Sequence, residues 1–343
     1  MSYIDLHTHS RCSDGSCTPA ELVELAVAAG LKAAALTDHD TVAGLAEFRE
    51  AAARHPEFEA IGGVEISTMF SSRELHIVGL WVDGGNPVLN EFLEEMRRNR
   101  ARRNEAIRLK LNSLGYVVTW DDPEFAAFSD TASIGRPHFA RALMRKYQFS
   151  SLQSVFDKLL KRNSPAYVPR ELPDPVRAIE VIHAAGGVAV WAHPIYRERN
   201  ERAWARRIMK RFAPLGLDAI EAYYSMFGPE ETRMLTELAG TYNLALSGGS
   251  DYHGLNSPNL RIGVGAGGLR APESLLALAK ENGIELTGEE AKAYFDQLHP
   301  GTGELSDEEL DNVAGGGCYA KDGYLKTTLG YKCRYYEENP VKP

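Results

Sequence analysis

The opening stretch Tyr3-Ile4-Asp5-Leu6-His7-Thr8-His9-Ser10 ends in two histidines one residue apart. Alternate residues of a strand point the same way, so His7 and His9 project together. Two imidazoles on one side make a metal chelate. The same grammar recurs downstream. Asp14 sits in the loop Ser13-Asp14-Gly15, and Asp38-His39-Asp40 ends a second apolar run. Glu65 ends a third run, and His76 falls early in a fourth. His193-Pro194 closes Val188 to Ala192, and Asp251-Tyr252-His253 follows Leu244 to Gly248 and a Gly-rich turn. A lone His at a strand end, or a lone Asp in a turn, ordinarily satisfies or caps a backbone group. Ligand types at the ends of six separate segments point instead to a metal centre in a hydrolase. His55, His183 and His299 fit no such pattern.

These residues need elements that bring them together. From residue 1 to about 85, strand and helix patterns alternate. Pro19 opens a helix whose apolar positions Leu22, Leu25, Ala26 and Ala29 recur with helical period, and Gly30 stops it. Ala33 to Thr37, Ala60 to Ile66 and Leu75 to Val82 read as strands, with a helix over Val42 to Arg54. Residues from about 87 to 165 read mainly as helix, with a short strand over Tyr116 to Trp120. Alternation then returns. Helices are expected at 175–185, 202–212 and 230–242, and strands at 187–192, 218–222 and 244–248. A last strand is expected at Arg261 to Gly265 and a last helix at Pro272 to Asn282. Alternating β and α units imply a parallel sheet or barrel, and a barrel takes ~250 residues. In such barrels the strand C-termini share one mouth, which would gather the candidate ligands. His76 is the exception, because it falls at the start of its strand.

Composition sets the bounds. The chain has 343 residues, a net charge of -9, 44% hydrophobic and 25% charged residues, as in ordinary globular proteins. No apolar run approaches the ~20 residues of a membrane helix, and the polar N-terminus is no signal peptide. A cytoplasmic protein is expected. Cys12, Cys17, Cys318 and Cys333 are too few for a disulfide framework. The acidic balance argues against broad coating of nucleic acid but allows a local basic groove.

The motifs together, His7-x-His9, Ser13-Asp14-Gly15, Ala35-Leu36-Thr37-Asp38-His39-Asp40-Thr41 with Gly44, Glu65, His76, Ala192-His193-Pro194 and Ser250-Asp251-x-His253, resemble the PHP (polymerase and histidinol phosphatase) family over residues 1 to about 285. Gly135-Arg136-Pro137-His138 further resembles its stand-alone phosphoesterases, which include 3′,5′-nucleotide bisphosphate phosphatases and 5′-3′ exoribonucleases. The resemblance implies an α/β fold, a distorted (β/α)7 TIM-like barrel. Its parts would be residues 1–86 and 171–285, around a helical insertion at 87–170. It also implies three divalent metals, manganese foremost, with iron, zinc or magnesium as alternatives. One would take His7, His9, Glu65 and Asp251; a second Glu65, His76 and His193; a third Asp14, His39 and His253. Mixed imidazole and carboxylate donors suit such ions, and a carboxylate shared by two metals lets them activate one bridging water. Asp38 and Asp40 would orient a ligand imidazole from behind or stabilise the loop.

Basic residues should complete a phosphate site. Arg136 and His138 resemble the subgroup's phosphate-contacting motif. Met96 to Lys110 carries seven Lys or Arg, and Arg100 and Arg103 fall on the same helical stripe as Leu93, Met96, Ile107 and Leu111. A charge on an inward face needs a partner, which a substrate phosphate could be. The expected reaction is loss of the 3′-phosphate from a 3′,5′-bisphosphate nucleotide by a metal-bridging hydroxide. The alternatives are 5′-3′ exonuclease action on short RNA or oligonucleotides, and histidinol-phosphate hydrolysis. Residues 301–343 change character. Glu304 to Asp311 carries five acidic residues, and Gly315-Gly316-Gly317 follows. This resembles the double-glycine leader of natural-product precursors, with a peptidase or maturation enzyme as partner. The chain would then be, in a different class of function, a carrier for the C-terminal peptide.

Overall fold

Three of the helices begin where the sequence supplies a side-chain cap ahead of a proline. Thr18 accepts from Glu21 N while the Glu21 carboxylate accepts from Thr18 N, a reciprocal box ahead of Pro19. Asn86 before Pro87 and Asp174 before Pro175 do the same work for later helices. The computed structural model describes residues 3–71, 73–126, 134–195, 201–257, 259–264, 271–272, 319–321 and 324–326.

The order is β1 (Tyr3–Thr8), α1 (Pro19–Ala28), β2 (Leu31–Leu36), α2 (Leu45–Ala52), β3 (Glu59–Phe70), β4 (Arg73–Leu80), α3 (Pro87–Ser113), α4 (Pro123–Ala126), α5 (Arg136–Lys146) and α6 (Leu152–Val155). It continues with α7 (Pro175–Ala184), β5 (Val188–Trp191), α8 (Glu201–Phe212), β6 (Ala219–Tyr224), α9 (Pro229–Thr241), β7 (Ala245–Gly249) and β8 (Ala271–Pro272). One eight-stranded sheet runs β7-β6-β5-β4-β3-β2-β1-β8. The segment after β7 meets β1: Asp251 N donates to His7 O and His9 N to Tyr252 O, both at 2.9 Å. The sheet is therefore a nearly closed barrel.

Strand residues divide by parity into two apolar layers. Ala33, Ala35, Val78, Leu80, Val190 and Ala219 pack with one another inside the barrel. Ala34, Leu36, Val64, Ile77, Ala189 and Ile220 pack outward against Leu22, Phe48, Ile182 and Leu235 of the helices. Glu65, His76 and Glu221 share parity with the inner set, which aims three polar side chains at the barrel axis. The helices α3 to α6 enclose a core of their own, including Ile107, Leu111, Phe139, Leu143 and Leu160.

Three expectations are corrected. The strand through Glu65 does not stop there: β3 runs on to Phe70, folds back at Ser71, and pairs antiparallel with β4, which pairs antiparallel with β5. Val117 to Thr119 form no strand. Their N–H groups go to Tyr147 Oη, Asn112 Oδ1 and Asp122 Oδ2, so side chains replace a ladder. Arg261 to Val264 form a turn whose Gly263 N donates to buried Asp5, and Pro272 pairs with Tyr3. Gly265 and residues 273–282 lie outside the described residues, as do residues 301–318.

Residues 1–291 and 292–343 are separate compact units. In the second, β9 (Tyr319–Lys321) and β10 (Tyr324–Lys326) form an antiparallel pair.

Candidate metal centre

Glu65 lies in the middle of β3, fully buried, with its carboxylate turned to the mouth. Five ring nitrogens surround it. His76 Nδ1 and His193 Nε2 stand 2.8 and 3.0 Å from Oε1. His39 Nδ1, His9 Nε2 and His7 Nε2 stand 2.9, 3.3 and 3.4 Å from Oε2. Because β4 is antiparallel, its N-terminal end reaches the mouth, and that is how His76 arrives. Asp251 Oδ1 lies 3.2 Å from His9 Nε2 and 3.6 Å from His7 Nε2. Asp14 Oδ1 lies 3.1 Å from His253 Nε2, and its Oδ2 3.9 Å from His39 Nε2. All nine expected ligand positions thus meet in one cluster.

The donor set fits divalent cations. Potential ligand atoms converge in four overlapping groups: His7, His9 and Asp251; His7, Glu65 and His193; His39, Glu65 and His76; and His9, Asp14, His39 and His253. His7 Nε2, both nitrogens of His9, His39 Nδ1, His76 Nδ1 and Glu65 Oε2 are buried without a hydrogen-bond partner. Buried polar atoms are ordinarily satisfied, so a cluster of inward lone pairs asks for cations. Without metal, protons answer. Burial alone would lower His76, but Glu65 and Glu74 raise it to about 10. Burial likewise opposes, and the neighbouring carboxylates override, the rise of His7 and His39. Glu65 and Asp251 are held well below the usual carboxylate range against the effect of burial, chiefly by His39 and His76 for the one and His7 for the other.

Residues behind the cluster set tautomers and loops. Glu221 accepts from His7 Nδ1 at 3.1 Å and from His193 N at 2.7 Å. That leaves His7 Nε2 as the inward lone pair. His253 Nδ1 donates to Asp251 O at 2.8 Å, with the same consequence for its Nε2. Tyr224 Oη donates to Asp251 Oδ2 at 2.8 Å. Asp5 accepts from Ser250 N, Ser250 Oγ and Gly263 N at 2.5–2.8 Å, anchoring the loop that carries Asp251. Asp40, His193 and Asp251 have φ of 53°, 30° and 57°, left-handed values that non-glycine residues adopt at a cost and that cluster at functional sites. Glu221, Asp5 and Tyr224 are additions to the expected set. A charged residue inside an apolar buried strand was the available signal for the first two.

Asp38 accepts from Ser10 N, Ser10 Oγ and Ser13 Oγ at 2.6–2.7 Å, shaping the loop that presents Asp14. Asp40 accepts from Ser67 N at 2.9 Å and pairs with Arg100 and Arg170. Arg170, from an aperiodic segment without a motif, also pairs with Glu74. Arg103 Nε donates to Val168 O, and Arg136 Nη1 to Leu160 O. Burial, then Arg136 and Arg170, lower Arg103 to about 10, so several cations crowd one place. His138 Nδ1 accepts from Gly135 N and caps α5. Burial and Arg141 lower its pKa, with Asp14 opposing; Asp14 also acts on Arg100. Arg100 and His138 therefore sit within electrostatic reach of the cluster. Cys12 and Cys17 are free thiols and contribute no ligand to these groups.

A barrel mouth filled by converging imidazoles and carboxylates defines a metal-dependent hydrolase. The PHP domain model matches residues 5–161. The 5′-3′ exoribonuclease Rnm of Escherichia coli K12 is 38% identical over 250 residues, 73% of this chain and 84% of that protein. The 3′,5′-nucleoside bisphosphate phosphatase of Chromobacterium violaceum is 35% identical over 260 residues, 74% of this chain and 88% of that one. A Chromobacterium violaceum structure described as an amidohydrolase with bound sulfate and no metal superposes with a TM-score of 0.68 at 32% identity, covering 80% of this chain and 96% of that one. The chain belongs to the PHP family of metal-dependent phosphoesterases. No helix among the described residues is long and apolar enough to cross a membrane.

Proposed function

We propose that the chain hydrolyses the 3′-phosphate ester of a 5′-phosphorylated nucleotide, with a 3′,5′-bisphosphate nucleotide as the simplest substrate. The observation that carries the reading is the arginine group of the insertion and its flank, Arg100, Arg103, Arg136 and Arg170, beside a cluster built for cations. Two kinds of relative, a bisphosphate phosphatase and 5′-3′ exoribonucleases, fit one chemistry. On this reading both activities would be hydrolysis of a P–O3′ bond, differing in whether the 3′-phosphate bears another nucleoside.

Three divalent ions, manganese by family resemblance, held by His7, His9, Glu65 and Asp251, by Glu65, His76 and His193, and by Asp14, His39 and His253, would supply Lewis acidity and a water of lowered pKa. The chain's own residues do the rest. Glu221 and Asp251 O fix the tautomers of His7 and His253. Asp38 and Asp5 hold the loops of Asp14 and Asp251. Asp40 holds Arg100 and Arg170 beside the ligand His39, where guanidinium forks suit phosphate oxygens.

The test is product analysis with adenosine 3′,5′-bisphosphate and manganese-loaded protein, with Asp251→Ala as control. The expected products are inorganic phosphate and adenosine 5′-phosphate, absent in the control. Adenosine 3′-phosphate as product, or equal release by the control, would contradict the reading.

For the C-terminal unit we propose the leader reading of 304–316, with 317–343 as cargo. Its support is that 292–343 forms a compact unit apart from 1–291. Cleavage after Gly316 by a double-glycine peptidase is the expected result, and an uncut tail the contrary one.

A further inference from the structure

The cavity at the metal cluster has a volume of about 580 Å³ and runs from His39, Glu65 and His193 to Arg73 and Trp204. On β4, neighbouring side chains point to opposite faces. Glu74 faces Arg170 of the insertion flank, whereas Arg73 places its guanidinium 4.7 Å from the Trp204 ring centre on α8. Arg207, one helical turn on, lies 5.0 Å from the same ring. Arg211, a further turn along, lies 4.7 Å from Phe70, the last residue of β3. Phe70 in turn meets Phe212 edge-on at 5.1 Å.

Three features separate this group from an ordinary solvated face. First, no carboxylate pairs with Arg73, Arg207 or Arg211 among the described residues. Some exposed arginines elsewhere have one, Arg97 with Glu94 and Arg177 with Glu180, while others such as Arg98 and Arg206 have none among the described residues; what distinguishes these three is that they gather on Trp204 and Phe70. In a chain of net charge -9, unpaired cations beside a cleft concentrate anions there. Second, Arg211 Nε is buried and lacks a hydrogen-bond partner, an unsatisfied donor within the group. Third, stacking on an aromatic face orients a guanidinium while leaving its N–H edge available. Trp204 itself is only 9% exposed, which leaves little ring for a base to stack on. The arginines, not the rings, are the contact surface.

We infer that Arg73, Arg207 and Arg211, laid over Trp204 and Phe70, form a second anion subsite that binds the phosphodiester backbone of an oligonucleotide continuing beyond the nucleotide at the metal cluster. The insertion arginines take one end of the substrate and this α8 group takes the other, with the β4 terminus between them. Single strands are held in this way by cationic tracks that follow the backbone. The inference rests on the 3′-ester reading of the metal centre, and it makes an oligoribonucleotide the fuller substrate.

The test compares manganese-loaded wild-type protein with Arg73→Ala/Arg207→Ala. Both side chains are exposed, so folding is not at stake. Substrates are adenosine 3′,5′-bisphosphate and a short 5′-phosphorylated oligoribonucleotide. KM for the oligonucleotide should rise at least tenfold more than KM for the bisphosphate, about the loss of one charge-assisted contact. The slope of log affinity against log salt should fall by about 1.4 for two phosphate contacts. Equal changes for the two substrates, or none, would overturn the subsite. If the wild-type protein hydrolyses neither, the 3′-ester reading fails, and the subsite is decided separately. Fluorescence anisotropy with a phosphorothioate oligoribonucleotide should then show weaker binding by the double variant, and equal binding would overturn it.

Discussion

At the residue scale, Glu65 is the hub. Its two oxygens meet five imidazoles within 3.4 Å, an arrangement that would be costly unless cations share the lone pairs. That the nine candidate positions gather could be read from the sequence because most of them end separate strand-like runs, His76 and Asp14 being the exceptions. Glu221 shows in the sequence only as a charge inside an apolar strand, and nothing in Ala219-Ile220-Glu221-Ala222 tells a structural acid from one that sets a tautomer. It holds His7 Nδ1 and His193 N with separate oxygens. A glutamine has only one acceptor, so Glu221→Gln must turn an amide N–H toward one of those donors. Metal affinity, read by competition with a chelator, should fall about 10- to 100-fold. An unchanged affinity would mean that Glu221 does not orient the ligands.

At the element scale, the antiparallel strand β4 explains the site that alternation alone left incomplete. Met69-Phe70-Ser71-Ser72-Arg73 contains no Gly, Asn, Asp or Pro, so the usual hairpin signals were missing, and β3 and β4 read as members of a parallel series. Parity along a strand fixes which face a residue takes but not the direction of the strand. That is why Glu65 and His76 could be named while the route of His76 to the mouth could not. Val117-Val118-Thr119 misled for a related reason: β-branched residues favour strands only where a neighbour pairs with them. The contact between β7 and β1 is equally demanding. A Cβ at Gly249 would lie 2.4 Å from His7 Cβ and 2.5 Å from His7 N. Gly249→Ala should cost roughly 1–3 kcal/mol and displace His7. Thermal unfolding and bound metal together check this; wild-type values for both would contradict it.

At the scale of the whole molecule, a net charge of -9 coexists with Arg73 in the lining of the metal-site cavity and with Arg100 and Arg170 paired to Asp40 beside the ligand His39. Charge is distributed so that the anionic substrate is drawn to the mouth. The alternation of strands and helices that builds the barrel could be read from rhythm. The α8 arginines could not, because Arg73 and Arg207 are far apart in sequence and meet only through Trp204. If the cluster around Glu65 is a metal centre serving phosphoester hydrolysis, metal and activity must be lost together when its hub is altered. The most direct measurement is metal content per chain, by mass spectrometry, of wild-type and Glu65→Gln protein after identical loading and desalting, with phosphate release from adenosine 3′,5′-bisphosphate recorded on the same samples. The variant should lose at least one ion per chain and nearly all activity while staying folded. Full metal content in Glu65→Gln, or activity retained without metal, would contradict it.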